Sequence, residues 1–249
     1  MIFRSGRWTA DELDGLIRQT ARIQGLGERI AFISGHFLGI PYRESTLIGD
    51  EHIPENLVID LGGMDCFTYL DYVEAMRMSS SLHDFIVVLQ WVRYHGGVVT
   101  YRTRNHFFTG WTVYNSGFVT DVTAEIGHGR AVGVQKVVNR RADGSLWLEG
   151  IEPQARTITF IPSAAVDEEA ASSLRTGDYA GIYSEKEGLD VSHVGIIIRQ
   201  QDRLLLRHAS SAPDAKAVID QDFLAYMKGR PGLIVLRPLE LPVKISACD

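Results

Sequence analysis

Residues 60–76 read DLGGMDCFTYLDYVEAM, and the rest of the chain is organised around them. Gly62 and Gly63 close an extended apolar run from Leu57 to Leu61, Asp65 stands where a helix takes its N-cap, and Cys66 follows at once. A thiol is thereby placed in the first turn of a helix, where the Asp65 carboxylate meets orphan N–H groups and the dipole favours negative charge on sulfur. A thiolate is easier to make there. Cys66, Tyr69 or Leu70, Val73 and Met76 recur at helical spacing, so the sulfur-bearing face is expected to look inward, at the floor of a cleft. Taken alone, the stretch is better met by a small buried hydrophobe, the usual role of an isolated Cys among apolar neighbours.

Upstream, Thr9 and Glu12 form a capping box, and Leu13, Leu16, Ile17 and Ile23 predict a helix running up to Gly25 and Gly27. Ile30, Ile33 and Phe37 predict a second helix from Glu28 to about Gly39, where Pro41 forbids continuation. Tyr42 leaves that Pro turn as either a packed aromatic or a hydrogen-bond donor aimed at the thiol. Downstream, Ser81 and Asp84 open another helix with Phe85, Val88, Leu89 and Val92 buried, ended by Gly96 and Gly97.

Next comes VVTYRTRNHFFTGWTVYNSGF, read as a short strand running into a segment rich in rings and cations: Tyr101, Arg102, Arg104, His106, Phe107, Phe108 and Trp111. Arg forks beside flat rings suit a sugar or a carboxylate-bearing ligand, and half-buried strand residues with solvated arginines fit the same pattern. Ala131–Val138 and Arg156–Ile161 read as strands, with Asp143-Gly144 as a hairpin turn between them; we take 100–165 as an insertion or flank of the main sheet. In the last third, Leu174–Ser184, Val191–Arg199, Arg203–Ser210 and Gly232–Arg237 are four strand signals separated by polar turns, an antiparallel meander. Helices first and strands later predict an α+β fold, with helices on one side of the antiparallel sheet.

The chain has 249 residues, 45% hydrophobic and 22% charged, which suits one domain spanning 1–249, elaborated by N-terminal helices over 9–40 and by the middle insertion. A net charge of −6 without a long basic run speaks against nucleic acid as partner, and no apolar run approaches the roughly 20 residues of a membrane span. The two cysteines, Cys66 and Cys248, form no Cys-x-x-Cys pair and imply no disulfide framework. The N-terminal MIFRSGRWTADELDG has no secretory apolar core, which fits a cytoplasmic chain or one whose leader Met1 replaces.

Of eight histidines, His193 opens the strand VGIII and His208 closes the strand RLLL. A hairpin centred on Gln200-Gln201 pairs 193 with 208 and puts both rings on one face with Cβ atoms roughly 5 Å apart. An odd-length loop would put them on opposite faces. Such a pair is structural, or part of a metal site, or two members of a Cys–His constellation. Without a third ligand of suitable spacing or an HExxH helix, no metal or other cofactor is implied. In the third reading His193 is the base toward Cys66 and His208 orients it through its other ring nitrogen. His36, His52, His83, His95 and His128 have no comparable partner and suit solvated or helix-packed roles.

Asp65-Cys66 opening a helix, then Gly177-Asp178, Ser192-His193-Val194-Gly195-Ile196 and Arg207-His208-Ala209-Ser210, resembles the NlpC-type superfamily of papain-like bacterial cell-wall hydrolases. Leu38-Gly39-Ile40-Pro41-Tyr42, Glu55-Asn56-Leu57-Val58, Asp65-Cys66-Phe67-Thr68, and Tyr101 with Arg104, His106, Phe107 and Trp111 are more particular. They resemble its N-acetylmuramoyl-L-alanine amidase-like branch, over about residues 9–238. That resemblance implies a papain-like core and a cysteine amidase. Its substrates would be peptidoglycan fragments, above all anhydro-muropeptides, cut between N-acetylmuramic acid and L-alanine. It also implies catalytic roles for Cys66, His193 and His208, and substrate-binding roles for Tyr42, Asp65, Tyr101, Arg104, His106, Phe107 and Trp111. Tyr42 would support the oxyanion or substrate, and the Arg104–His106 segment would line the sugar side. Gly110, where relatives often carry an acid, departs from the pattern. A D-glutamyl-diaminopimelate endopeptidase and a non-catalytic muropeptide-binding protein are the alternatives.

Overall fold

The helix that carries the thiol is buried on every side. In the computed structural model, which describes residues 1–240, it spans Cys66–Met78 (α3), and all residues from Thr68 to Arg77 are buried. The inward stripe expected from the sequence is therefore only part of the buried surface. Around it stand Ala10–Arg22 (α1), capped as predicted by Thr9 and Glu12, Leu26–Gly35 (α2), and Leu82–Arg93 (α4), whose Ser81 accepts from the Asp84 N–H. α2 ends four residues short of the expected Gly39, its end drawn into i−3 turns such as Phe37 N–H to Ser34 C=O.

The strands are Ile2–Arg4 (β1), Val58–Asp60 (β2), Val119–Asp121 (β3), Val132–Val138 (β4), Gln154–Pro162 (β5), Tyr179–Tyr183 (β6), Val191–Gln200 (β7), Arg203–Ala209 (β8), Val218–Asp222 (β9) and Gly232–Pro238 (β10). β1 and β2 pair in parallel as a small separate sheet. The other eight form one antiparallel sheet in the order β4-β5-β10-β6-β7-β8-β9, with β3 also on β10. β10 pairs with β5 at its start and with β3 at its end, so the middle segment joins the main sheet through β5. The strand expected near residue 98 is absent: short 3-10 turns at His95–Gly97 and Tyr101–Thr103 stand there, with Gly96 and Gly97 at positive φ.

The sheet is an α+β layer covered on both faces, not one as predicted. Val194, Ile196 and Ile198 pack with Tyr69, Val73 and Met76 of α3. Ile197, Leu206 and Val235 pack with Ile126, Ala170 and Phe223 from short helices at Thr123–Ile126, Glu168–Ser173 and Phe223–Met227. The unbroken apolar run of β7 is the sequence mark of a strand buried on both faces.

α3 is tied to the sheet by a buried ion pair. Arg77 donates from Nε to Glu74 at 2.6 Å and from its Nη groups to the carbonyls of Leu239 and Phe118, both at 3.2 Å, while the Tyr179 hydroxyl on β6 donates to Glu74. The pair's side chains are 1% and 0% exposed. Removing one charge strands the other in apolar surroundings, so Arg77→Met is expected to lower stability by about 3–5 kcal/mol. Glu74→Gln on top of it should restore part of the loss, which denaturant midpoints of the single and double variants measure.

Candidate active site

Asp65 caps α3 as predicted, and the cap occupies it: its Oδ1 accepts from the N–H groups of Phe67 at 3.1 Å and Thr68 at 2.7 Å, and from the Thr68 hydroxyl at 2.8 Å. Cys66 is the first residue of the helix and half-buried, opening onto a cleft of about 300 Å³. That cleft is also lined by Phe67, His106, Phe107, Asp190 and His193. The dipole argument predicts an acidified thiol, yet burial pushes Cys66 up to about 12, and the neighbouring Asp65 carboxylate adds to the rise. The N–H groups of Val194, Cys66 and Phe67 act the other way and are outweighed. In the free protein, then, the sulfur is a thiol.

The two histidines singled out in the sequence stand on the neighbouring hairpin. β7 and β8 join through Gln201-Asp202, with Gln200 opposite Arg203 and Ile196 opposite Arg207, so the register differs by two residues from the one expected. A two-residue shift preserves the face, and His193 and His208 become diagonal neighbours rather than opposite ones. Their rings are perpendicular, with His193 Nε2 2.7 Å from His208 Nδ1. Gly195 makes room: a Cβ there would lie 2.9 Å from that of His208. His208 Nε2 in turn lies 2.7 Å from Gln221 Oε1 on β9. With the amide oxygen facing the ring, His208 carries its proton on Nε2 and accepts at Nδ1 from His193 Nε2–H, which leaves His193 Nδ1 as the free basic nitrogen.

Among the described residues no hydrogen bond joins the sulfur to the His193 ring. The Val194 N–H next to His193 is the β7 group that favours the sulfur's charged form, near the end where β7–β8 pairing stops. Tyr226 from the Phe223–Met227 helix backs the pair, its ring centred 5.2 Å from His208 and 6.2 Å from His193. Gln221 and Tyr226 were missed in the sequence. VIDQD is too polar to read as a strand, and only the pairing of Leu206 with Gln221 and His208 with Ile219 brings the amide to the ring.

The residues expected to bind substrate divide. Phe107 and His106 line the thiol's cleft, and His106 also lines, with Tyr101, Arg104 and Asp65, an adjoining cleft of about 460 Å³. Arg104 is held by the buried Glu55 carboxylate at 2.9 Å, and His106 Nε2 by the Tyr101 carbonyl at 2.7 Å. Tyr42 is half-buried; burial and the nearby Cys66 raise its phenol to about 12, so it remains a donor. Trp111 is the correction: it is 0% exposed and packs edge-on against Tyr179 and, tilted, against Phe67. As core behind Phe67 it cannot touch a ligand. The middle segment supplies the opposite wall. Lys136 on β4 donates to the carbonyls of Ser184, Lys186 and Leu189, and Trp147 Nε1 donates to the Glu187 carbonyl at 2.8 Å. This fastens the loop that brings Leu189 and Asp190 to the cleft.

Burial pushes His193 down to about 3 and His106 to about 4, and lowers His208 and His95, so these rings are neutral in the folded protein. The unfolded chain takes up these protons first as pH falls. Stability is therefore expected to be fully present above the ordinary histidine value of 6.5 and to drain away as pH drops toward about 4. Asp71, raised by burial to about 6 despite Arg93, works in the opposite sense as one proton against several. Denaturation midpoints between about pH 7.5 and about pH 4.5 measure the slope, and a flat profile would contradict neutral buried rings.

A half-buried thiol at a helix start thus shares a cleft with His193, whose ring is hydrogen-bonded to that of His208. The sequence matches the AmiA-like, N-acetylmuramoyl-L-alanine amidase-like family over residues 32–233, and the chain belongs to that family. No curated protein matches it. A Legionella pneumophila protein assigned to the DUF1460 family model shares its fold at 22% identity, with a TM-score of 0.77 over 92% of this chain and 95% of that one. An N-acetylmuramoyl-L-alanine amidase from Bacteroides uniformis is 25% identical, with a TM-score of 0.70 over 86% of this chain and 99% of its own. A Bacteroides fragilis structure provisionally described as a xylanase is 23% identical, with a TM-score of 0.65 over 82% and 98%. Among the described residues no helix is long and apolar enough to cross a membrane.

Proposed function

We propose that the protein is a single-domain papain-like cysteine amidase of the NlpC type, which hydrolyses the amide between N-acetylmuramic acid and L-alanine in peptidoglycan fragments, anhydro-muropeptides above all. The observation that carries this reading is the His193–His208–Gln221 hydrogen-bonded series on the cleft that Cys66 floors. Because the free thiol and imidazole are both neutral, His193 Nδ1 takes the thiol proton as sulfur adds to the lactyl carbonyl carbon. Tyr42, still protonated, is the donor assigned to the oxyanion. His193 then returns the proton to the departing alanine nitrogen, a thioester remains on Cys66, and water attacking with the same base releases the sugar acid. His208 accepts from His193 Nε2–H throughout and stabilises the imidazolium that forms.

The glycosidase chemistry suggested by one neighbour's description finds no support in this cleft. A glycosidase needs two free carboxyl groups flanking the bond. The acid lining the thiol's cleft, Asp190, accepts from the Thr109 N–H at 2.7 Å, its hydroxyl at 2.9 Å and the Val191 N–H at 2.7 Å. An endopeptidase acting between D-glutamate and diaminopimelate would use the same chemistry, and only the pocket separates the two. Incubation with a defined anhydro-muropeptide and identification of products by mass decides. Free peptide beginning with L-alanine supports the amidase, cleavage inside the stem points to the endopeptidase, and saturable binding without products to a binding protein.

A further inference from the structure

A second, smaller cavity of about 40 Å³ lies beyond Phe107 and His106, the two side chains it shares with the thiol's cleft. Three arginines line it, and their charges are not equally met. Arg104 is neutralised by Glu55, whereas Arg102 and Arg156 have no carboxylate within 4.0 Å among the described residues. Arg156, half-buried on β5, is aimed by neutral groups: Nη1 donates to the Thr109 hydroxyl at 3.1 Å and Nη2 to Gln154 Oε1 at 2.5 Å. Thr109 donates onward to Asp190 of the thiol's cleft, so the guanidinium is referenced to that cleft through one hydroxyl. His95 and Asn105, which also line the cavity, interact through their side chains, so the charge offered to a guest there is that of the arginines.

Gly110 opens it. Its backbone is helical, at φ −64° and ψ −28°, so any residue would be accommodated there, and a Cβ would stand 3.5 Å from Arg156 Nη1. At about 40 Å³ the cavity is far smaller than the thiol's cleft of about 300 Å³, which suits one small planar group better than a sugar ring. Glu152 at the rim is exposed and pairs with neither arginine. We infer that Arg156, supported by Arg102, is a specificity-determining subsite for one carboxylate of the ligand whose scissile carbonyl lies at Cys66. A free guanidinium edge holds a carboxylate by charge-assisted hydrogen bonds and does not hold the corresponding amide comparably. This rests on the functional reading above.

The test pairs two muropeptides that differ only in one stem carboxylate, free or converted to its amide, with each stem carboxylate tried in turn. The wild-type protein is expected to favour one free acid on the order of tenfold to a hundredfold in kcat/KM, through KM. Arg156→Gln and Gly110→Asp, which sets a competing carboxylate against the guanidinium, should both abolish the preference, read as the ratio of kcat/KM for the free acid to that for its amide. Gly110→Ala, which adds the Cβ without the charge, should keep it. Equal handling of every acid and its amide by wild type would overturn the subsite and leave the amidase reading standing. If no muropeptide is hydrolysed, the amidase reading falls, and the subsite is decided separately by acetate against acetamide, followed at the Arg156 side-chain NMR signal. A saturable acetate shift absent in Gly110→Asp supports it; no shift overturns it.

Discussion

Cys66→Ala is expected to abolish hydrolysis, a fall of at least about four orders of magnitude, while the protein stays folded. The two halves of that expectation have different causes. Turnover is lost because the sulfur is the atom proposed to form the thioester. The fold survives because Ala suits the first turn of a helix, because Asp65 keeps its bonds to the Phe67 and Thr68 N–H groups, and because the side chain is only half-buried. A thermal midpoint near that of wild type, alongside a mass assay for product, measures both. Undiminished turnover by a folded Cys66→Ala protein would end the proposed mechanism.

The second large effect separates two histidines that look alike in the sequence. His193→Ala should cost nearly as much as loss of the thiol, at least about 10³-fold, because with a neutral thiol the base must remove a proton before sulfur can attack. His208 has only to accept from His193 Nε2–H. In His208→Asn the amide oxygen falls close to where Nδ1 stood and keeps an acceptor there, so a measurable fraction of activity should remain. His208→Ala should retain less. Gln221→Leu belongs to the same series: without Oε1 nothing holds the His208 proton on Nε2, the ring can present N–H instead of a lone pair to His193, and activity should fall below that of His208→Asn without vanishing. Full activity in His208→Ala beside a dead His193→Ala would remove His208 from the orienting role. Full activity in both would remove the Cys–His mechanism.

Much of this arrangement was legible because it is local. An Asp followed by Cys at the start of an apolar periodic run specifies a capped helix with sulfur in its first turn, and the capping box at Thr9 and the Ser81 cap were legible on the same grounds. The shared face of His193 and His208 survived a register error because side chains alternate with a period of two and the error was even. What the local pattern could not contain is anything set by surroundings. Asp65 was read as the cap of a helix whose N–H groups and dipole would favour a thiolate; burial of the sulfur outweighs that dipole, and the Asp65 charge beside it adds to the rise. Trp111 stood among ligand-type residues in the sequence and was placed in the core by its packing on Tyr179 and Phe67.

By itself, then, the sequence determined the four longer helices, three of them with their caps, most of the meander, and which side chains carry reactive groups, because these depend on neighbours a few positions away. Tertiary structure alone decided that both faces of the sheet are covered, that the segment between β4 and β5 walls the cleft, and that Gln221 ends the histidine series. It also decided that Arg104 is met by Glu55 while Arg156 has no acid partner among the described residues. The physical reason is common to all four. Each turns on residues from different elements meeting in space, and on the desolvation or pairing of polar groups that follows, quantities that a residue acquires only when the chain closes around it.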